Sequence, residues 1–247
     1  MQKTIDEFLP ILARHWNIPF TQLQTYYDEL QASQDFLAVL NNAIKDVPEF
    51  SGVHFQHVND LRVYRCMLYL ITRVVKPEIF VETGVLNGFS SAFILLAMHR
   101  NGRGTLYSID LPSDAPEILK QGTTLLPKGK STGWVIPEEL CERHELLLGP
   151  SQVLLPQILA QHAPLDMFLH DSDHRYPHMM FELSLAWLYL RPDGWLLCDN
   201  VEQNTVFSDF VRGVNGEGLV IASFDTPERV WKHGLVQKRS MASDSSR

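Results

Sequence analysis

The sequence has 247 residues, with 21 Lys and Arg against 29 Asp and Glu, which gives a net charge of −8. This acidic balance argues against a nucleic-acid partner, and 45% apolar with 20% charged residues is ordinary globular composition. No apolar run approaches the roughly 20 residues of a membrane helix, no export signal is visible at the N-terminus, and the three cysteines form no C-x-x-C pair. We therefore expect a cytoplasmic protein with no membrane contact, disulfide framework or zinc site.

The first 75 residues have apolar side chains at helical spacing, such as Leu61, Tyr64, Leu68 and Ile71. Proline and glycine residues separate the helical stretches. This pattern predicts an N-terminal helical cap over residues 1–75.

From residue 76 onward, short β-branched and aromatic runs alternate with helical stretches. The predicted strands are Ile79–Glu82, Thr105–Asp110, Glu145–Leu148, Met167–Asp171 and Trp195–Asp199. The predicted helices are Ser90–His99, Glu138–Arg143, Ser151–His162, His178–Tyr189 and Thr205–Val211. Such alternation predicts an α/β fold with a mostly parallel sheet covered on both faces. Two final runs, Leu219–Phe224 and Val230–Val236, predict an antiparallel hairpin at a sheet edge.

The connection from Asp110 to Glu145 is long and rich in proline and glycine. Because unstructured loops longer than about 12–15 residues are uncommon, we predict a lid over residues 112–133; a surface insertion without a role is the alternative. A polar tail, residues 240–247, is predicted to be flexible. The predicted main domain is therefore 76–239.

The first candidate site follows the strand that ends at Glu82. A turn with Gly84 and Gly88 leads into a helix, in the position where doubly wound sheets bind ligands. The spacing is G-x-x-x-G, and Glu82 would repel a pyrophosphate but suits a cationic or hydroxyl-rich ligand. Asp110, at the end of the next strand, could bind the hydroxyls of a ribose. A plain strand–turn–helix junction and a turn-capping Asp110 are the alternatives; together, however, the residues favour a nucleoside without a bridging phosphate.

The second candidate site follows the strands that end at Asp171 and Asp199. Because neighbouring parallel strands end at one edge, Asp171, Asp199 and Asn200 could converge, and such oxygen ligands suit Mg²⁺. His174 lies close enough along the chain to act as a general base. The alternatives are a helix N-cap for Asp173 and a simple turn for Asp199-Asn200.

Taken in order, these motifs resemble the class I S-adenosylmethionine-dependent methyltransferases, closest to the metal-dependent O-methyltransferase-like group. The stretch V-E-T-G-V-L-N-G-F-S-S is similar to their first motif and L-Y-S-I-D to their second. L-D-M-F-L-H-D-S-D-H-R-Y and L-R-P-D-G-W-L-L-C-D-N are similar to their fourth and fifth strand ends. The resemblance covers about residues 76–200 and implies a Rossmann-like, seven-stranded fold with a reversed last strand.

The resemblance also implies a role for each matching residue. The methionine part of the cofactor would be held by Glu82, Gly84 and Gly88, with Ser90 as a further cofactor contact. Asp110 would bind the ribose, and Ser151 would lie near the adenine. The metal ligands would be Asp171, Asp199 and Asn200, with Asp171 also beside the cofactor. His174 stands where many of these enzymes have a catalytic lysine.

We therefore expect a small-molecule O-methyltransferase that uses S-adenosylmethionine, a divalent cation, Mg²⁺ as the first choice, and His174 as base, with Asp171 also catalytic. A homodimer is a possible assembly. One alternative is a small-molecule methyltransferase of the same fold that uses no metal and methylates an oxygen or a nitrogen. A nicotinamide-dependent oxidoreductase and a non-catalytic nucleoside-binding module fit the motifs less well.

Overall fold

The structure is a computed structural model that describes residues 5–112, 126–226 and 229–240. Most of the predicted lid and all but residue 240 of the predicted tail lie outside these ranges. The N-terminal part forms four α-helices, α1 Leu9–His15, α2 Phe20–Gln31, α3 Gln34–Ile44 and α4 Val63–Val75. Short 3-10 helices lie at Ile5–Glu7, Pro48–Phe50 and Val58–Leu61.

The remainder alternates between strands and helices, as the sequence pattern predicts. In chain order the elements are β1 Ile79–Thr83, α5 Phe89–Asn101, β2 Thr105–Asp110, β3 His144–Leu148, α6 Ser151–His162, β4 Leu165–His170, α7 Tyr176–Tyr189, β5 Leu190–Cys198, α8 Val206–Gly213, β6 Gly218–Thr226 and β7 Arg229–Gln237. The helix predicted at Glu138–Arg143 forms a 3-10 helix instead, the form that short segments commonly adopt.

The seven strands form one sheet in the order β3-β2-β1-β4-β5-β7-β6. The first five are parallel, and β7 is antiparallel to both β5 and β6. The chain order reverses between β1 and β4, so a crevice for a ligand is expected outside the carboxyl ends of these strands. The predicted Rossmann-like fold with a C-terminal antiparallel hairpin is confirmed.

Two hydrophobic clusters cover the two faces of the sheet. The N-terminal helices and α5 share one cluster with the side chains on one face of the sheet, including Phe80 and Leu197. Helices α6, α7 and α8 cover the other face, which includes Val81 and Phe168. Helix α4 is buried on most of its surface and packs against α5.

Across the described ranges, no helix has the combination of length and apolar character that crossing a lipid bilayer requires.

Candidate functional site

Gly84 brings the turn after β1 into contact with the backbone that follows β4. Its φ is +87°, and a Cβ at this position would lie 1.9 Å from the carbonyl oxygen of Asp171. The Asp171 N–H donates to the Thr83 carbonyl oxygen at 2.8 Å, and the Asp199 N–H donates to the carbonyl oxygen of His170 at 2.9 Å. The first residues after three neighbouring strands are therefore fixed at one edge of the sheet.

Gly88 has a different neighbour from the one expected from the sequence. The resemblance implies that Gly88 helps to hold the cofactor, but a Cβ here would lie 2.7 Å from Ile136 Cγ1 and 2.9 Å from Gly133 Cα. The N–H of Gly133 also donates to the Leu86 carbonyl oxygen at 2.8 Å. The chain just after the undescribed segment thus occupies this side of the turn. Ser90 lies in the first turn of α5 and is half-buried.

Glu82 lies fully buried beneath the turn. It accepts hydrogen bonds from Ser91 Oγ and, at 2.6 Å, from Ser108 Oγ. Burial raises the pKa of Glu82 from 4.5 to about 7, against the opposing effect of these two hydrogen bonds. Its Oε2 has no hydrogen-bond partner among the described residues. That oxygen suits the ammonium group of a methionine-like ligand.

The raised pKa of Glu82 makes folding stability depend on pH. The folded state holds this proton more tightly than the unfolded state, so this contribution is fully present below pH 4.5 and is lost as pH rises to about 7. The loss amounts to roughly 3 kcal/mol at 1.36 kcal/mol per pKa unit. We expect Glu82→Gln, which mimics the protonated acid, to lack this decline when urea unfolding is compared at pH 5 and pH 8. An exposed control, Glu142→Gln, should follow the parent; a Glu82→Gln curve parallel to the parent would contradict the assignment.

Asp110 holds the glycine turn through its carboxylate. Its Oδ2 accepts from the N–H groups of Val85 at 2.9 Å and Leu86 at 2.7 Å, and its Oδ1 accepts from the N–H of Leu111 at 2.7 Å. Burial raises the pKa of Asp110, while these backbone donors act in the opposite direction. Asp110 therefore caps the turn, as the alternative interpretation stated. A contact between Asp110 and the ribose hydroxyls, which would use the remaining lone pairs of its carboxylate, stays a prediction.

We expect Asp110→Ala to weaken binding of S-adenosylhomocysteine by roughly 1.5–3 kcal/mol, because hydrogen bonds to a charged group contribute on that scale. The measurement is isothermal titration calorimetry, with the exposed Asp35→Ala as control. Affinity equal to that of the parent would remove Asp110 from the ligand site and leave it with the turn alone.

Asp171 and Asp199 come together as the sequence predicts. Their carboxyl groups are close enough to shift each other's pKa, and the raised pKa of Asp171 beside the lowered pKa of Asp199 leaves one proton on the pair. Burial, and then the charge of Asp199, raise the pKa of Asp171 well above its ordinary value. Burial also disfavours an ionised Asp199, but the charge and hydrogen bond of His233 hold the pKa of Asp199 at about 2. Asp199 is therefore the ionised member of the pair, and its partner is His233 Nδ1 on β7.

His174 lies beside this pair, with Nε2 at 4.0 Å from Asp171 Oδ1. Asn200 Nδ2 lies 3.2 Å from the same nitrogen and can donate to it. Burial, and then the charge of His170, lower the pKa of His174 to about 4, so its imidazole is neutral at pH 7. Asn200 Oδ1 is buried and has no partner in the described part of the chain. Asp173 Oδ1 accepts from the Arg175 N–H at 3.0 Å, and because Arg175 is the N-cap of α7, Asp173 lies two residues before the cap position.

Several residues at the carboxyl edge of the sheet belong to none of the sequence motifs. Tyr64, at the start of α4, stacks on His233 with ring centroids 4.1 Å apart and an angle of 10°. Burial, and then the charges of Asp199 and Asp171, raise the pKa of Tyr64 well above its ordinary value, so its hydroxyl stays protonated. This hydroxyl, too, has no hydrogen-bond partner among described residues. Only the antiparallel pairing of β7 with β5 could reveal that His233 lies here.

The predicted adenine contact, Ser151, directs its hydroxyl inward. Ser151 Oγ donates to the buried Glu182 on α7 and also lies 3.2 Å from His178 Nε2. Burial opposes ionisation of Glu182, but the hydrogen bonds from His170 and His178 lower the pKa of Glu182 well below its ordinary value. Ser151 remains at the carboxyl edge, beside the turn after β4. Its part in adenine binding stays a prediction.

The oxygen atoms at this edge of the sheet match part of what a divalent cation requires. Two carboxyl groups that share one proton, next to a buried and unpartnered Asn200 Oδ1, are hard-oxygen ligands in need of a counter-charge. Within the described residues, no group of three or more His, Cys, Asp and Glu side chains is arranged to hold a metal ion. The predicted set contains only two such side chains together with an amide.

Comparison with known proteins supports the resemblance. Residues 81–201 match a family described as "Methyltransferase domain". The fold is similar to that of the O-methyltransferase TomG from Streptomyces achromogenes in complex with S-adenosylmethionine, at 16% identity and TM-score 0.55, over 89% of this chain and 96% of that one. It is also similar to an O-methyltransferase from Bacillus cereus in complex with S-adenosylhomocysteine, at 14% identity and TM-score 0.54, over 87% of this chain and 100% of that one. No curated protein sequence matches this chain. The predicted resemblance is thus confirmed at the level of a methyltransferase domain match over residues 81–201 and a shared fold.

Proposed function

We propose that this chain, which carries a class I S-adenosylmethionine-dependent methyltransferase domain, transfers the methyl group of that cofactor to a hydroxyl oxygen of a small molecule. One observation carries the proposal. A glycine turn, a buried carboxylate with an unpartnered oxygen, and a shared-proton pair of carboxyl groups with a neutral imidazole all lie at one edge of the sheet. A cofactor-binding half and an acid–base half are thus adjacent.

The cofactor supplies a methyl group that is already activated by the positive charge of its sulfonium. Glu82 would hold the ammonium end of the methionine part, and Asp110 would accept hydrogen bonds from the ribose hydroxyls. Both carboxylates lie where β1 and β2 end, so they fix the cofactor relative to the residues that follow β4 and β5. Such positioning lowers the barrier because the reacting atoms are aligned before the transfer.

His174 would accept the proton of the acceptor hydroxyl at Nε2. Its neutral imidazole has the required lone pair at pH 7, and the Asn200 amide, 3.2 Å from Nε2, would give up its contact with this nitrogen when the acceptor hydroxyl binds. The bound cofactor would supply the methyl group to the acceptor oxygen and remain as a neutral thioether, and His174 would hold the proton that the hydroxyl loses.

Asp171, Asp199 and Asn200 would hold the divalent cation through oxygen atoms. When bound, such an ion makes the acceptor hydroxyl more acidic. Asp171 would lose its proton on binding, and the hydrogen bond from His233 would keep Asp199 oriented, as partners of ligating carboxylates do.

A second candidate function keeps the fold and omits the cation. The observation that favours it is the buried contact between His233 Nδ1 and Asp199 Oδ1, which already gives the carboxyl pair a partner without a cation. In this form Asp171 and His174 bind and deprotonate the acceptor directly, and the acceptor atom is oxygen or nitrogen.

Calorimetry with S-adenosylhomocysteine, in Mg²⁺ and in a chelator, tests the cofactor part of the proposal. We expect binding in both buffers, because the cofactor contacts lie at β1 and β2. A screen of small hydroxyl compounds, with release of S-adenosylhomocysteine as the signal, then identifies the acceptor. Turnover that requires the cation supports the first candidate, whereas turnover that persists after exhaustive chelation supports the second. Absence of S-adenosylhomocysteine binding would contradict both.

A further inference from the structure

Glu182 is a fully buried carboxylate on α7 that the proposed chemistry does not use. Five side chains direct hydrogen-bonding groups at its two oxygens, namely Thr83, Ser151, His170, Ser172 and His178. The contact is 2.5 Å from Thr83 Oγ1, 2.6 Å from His170 Nδ1 and 2.7 Å from His178 Nε2. Because an ionised carboxylate only accepts hydrogen bonds, both imidazoles must present an N–H to it.

Four of these partners come from separate parts of the sheet edge and not from one loop, and the fifth, His178, lies one turn before Glu182 on α7. Thr83 ends β1 and precedes Gly84, and Ser151 begins α6 directly after β3. His170 ends β4, and Ser172 lies in the turn that follows it. Glu182 therefore connects the three places at which the chain leaves β1, β3 and β4.

The same three places carry the predicted cofactor contacts. Gly84 forms the turn after β1, Ser151 is the predicted adenine neighbour, and Asp171 lies between His170 and Ser172. An error of a few tenths of an ångström in the relative position of these turns would be transmitted directly to the bound cofactor.

We propose that Glu182 is a positioning residue for the cofactor: it holds the turns after β1, β3 and β4 in the relative arrangement that binds S-adenosylmethionine. The inference rests on the function proposed above. Because Glu182 is fully buried, it would act through the five side chains that it gathers. His170 is part of this network, since its Nδ1 is bound to Glu182 while its buried Nε2 has no partner among the described residues, and its ring centroid lies 5.4 Å from that of His174.

Glu182→Gln tests the proposal because it keeps the shape of the side chain but replaces one acceptor oxygen by an NH₂ group. That group would meet N–H and O–H donors, so the partner side chains would have to turn away. A loss of stability alone would not distinguish positioning from simple structural support. A control variant is needed that is destabilised at a distance from the cofactor.

Asp166 supplies this control within the same sheet. It accepts hydrogen bonds from the N–H groups of Glu78 at 2.7 Å and Ile79 at 2.8 Å, and from Arg191 Nε at 2.5 Å. These contacts lie at the opposite edge of the sheet, where β1 and β4 begin. Asp166→Asn should lower the melting temperature but leave the cofactor edge intact.

The experiment measures melting temperature and calorimetric affinity for S-adenosylhomocysteine in the parent, Glu182→Gln and Asp166→Asn. We expect both variants to melt earlier, but only Glu182→Gln to bind S-adenosylhomocysteine about tenfold or more weakly, which is the scale for a lost supporting contact in a binding site. Asp166→Asn should bind within about twofold of the parent, since distant sites act independently. Hydrogen exchange should become faster at residues 149–152 and 171–173 in Glu182→Gln, and at residues 77–80 in Asp166→Asn.

Thr83→Val provides a second test if Glu182→Gln does not fold. It is nearly isosteric and removes one donor to Glu182, so weaker binding of S-adenosylhomocysteine is again expected, by a few-fold. Affinity equal to that of the parent in either variant would overturn the positioning role while the methyltransferase proposal stands. A parent protein that does not bind S-adenosylhomocysteine would instead overturn the methyltransferase proposal, and the inference with it.

Discussion

Asp171→Asn and Asp199→Asn are each expected to reduce methyl transfer to background, a loss of at least about 10³-fold, the upper end for removal of one electrostatic contact to the reacting atoms. Asp199→Asn removes the charge of the carboxyl pair, and Asp171→Asn removes the carboxyl group that would ionise when the cation binds or that would bind the acceptor directly. The asparagine at position 199 can still accept the hydrogen bond from His233, so the loss would report the charge and not a collapse of the site. Affinity for S-adenosylhomocysteine should change little, because its predicted contacts lie at β1 and β2.

The assay is release of S-adenosylhomocysteine with the acceptor found by screening, at saturating cofactor. Asp173→Asn is the matched control, since that carboxylate lies in the same loop but binds Arg175. We expect it to retain most of the parent turnover. If both Asp171→Asn and Asp199→Asn turn over like the control, the carboxyl pair has no part in the reaction and the proposed mechanism is wrong.

His174→Ala is expected to lower turnover by about 10²–10⁴-fold, the usual range for loss of a general base. The loss should shrink at high pH, where the acceptor hydroxyl ionises without help. His174→Gln should behave in the same way, because glutamine can occupy the space but cannot take the proton. An exposed histidine on α5 provides the control, and His99→Gln should match the parent.

The lowered pKa of His174 adds a prediction about the pH profile. The base must be neutral to accept a proton, and burial keeps its pKa at about 4 in the folded protein. Protonation of this group should therefore not reduce kcat/KM between pH 7 and pH 5, where an ordinary histidine would become charged. A single acidic limb near pH 6.5 that disappears in His174→Gln would show that the ring is solvated in the working enzyme. Turnover of His174→Ala close to that of the parent would make His174 a structural residue.

The N-terminal helices belong to the functional site as well as to the core. Tyr64 on α4 reaches the carboxyl pair through its stack on His233, and the charge of Arg65 acts on Asp171. These helices share one hydrophobic cluster with the sheet. The acceptor specificity of this chain is therefore expected to depend on residues 58–65 as well as on the motifs after the strands.

The sequence by itself determined the order of the elements and the positions of most site residues. Alternation of apolar runs with helical periodicity is a local property, so the strands are predicted to within a few residues of their observed bounds, and the reversal at the C-terminal hairpin follows from the missing helix. The sequence predicts that Asp171 and Asp199 lie close together, because neighbouring parallel strands end at the same edge of the sheet. Glycine at position 84 was also predictable from the turn, although its closest neighbour, the Asp171 carbonyl, was not.

Only the tertiary structure decided which partners these residues meet and which of them carry charge. His233 is 34 residues from Asp199, and the antiparallel register of β7 against β5, with Cys198 opposite Gly234, brings them together. Glu182 is 99 residues from Thr83 along the chain. Helical periodicity alone shows only that a polar residue lies on a largely apolar helix. Burial raises the pKa of Asp171 and keeps His174 neutral, whereas His233 lowers the pKa of Asp199. Long-range pairing and desolvation depend on the whole fold, and a local sequence pattern contains neither.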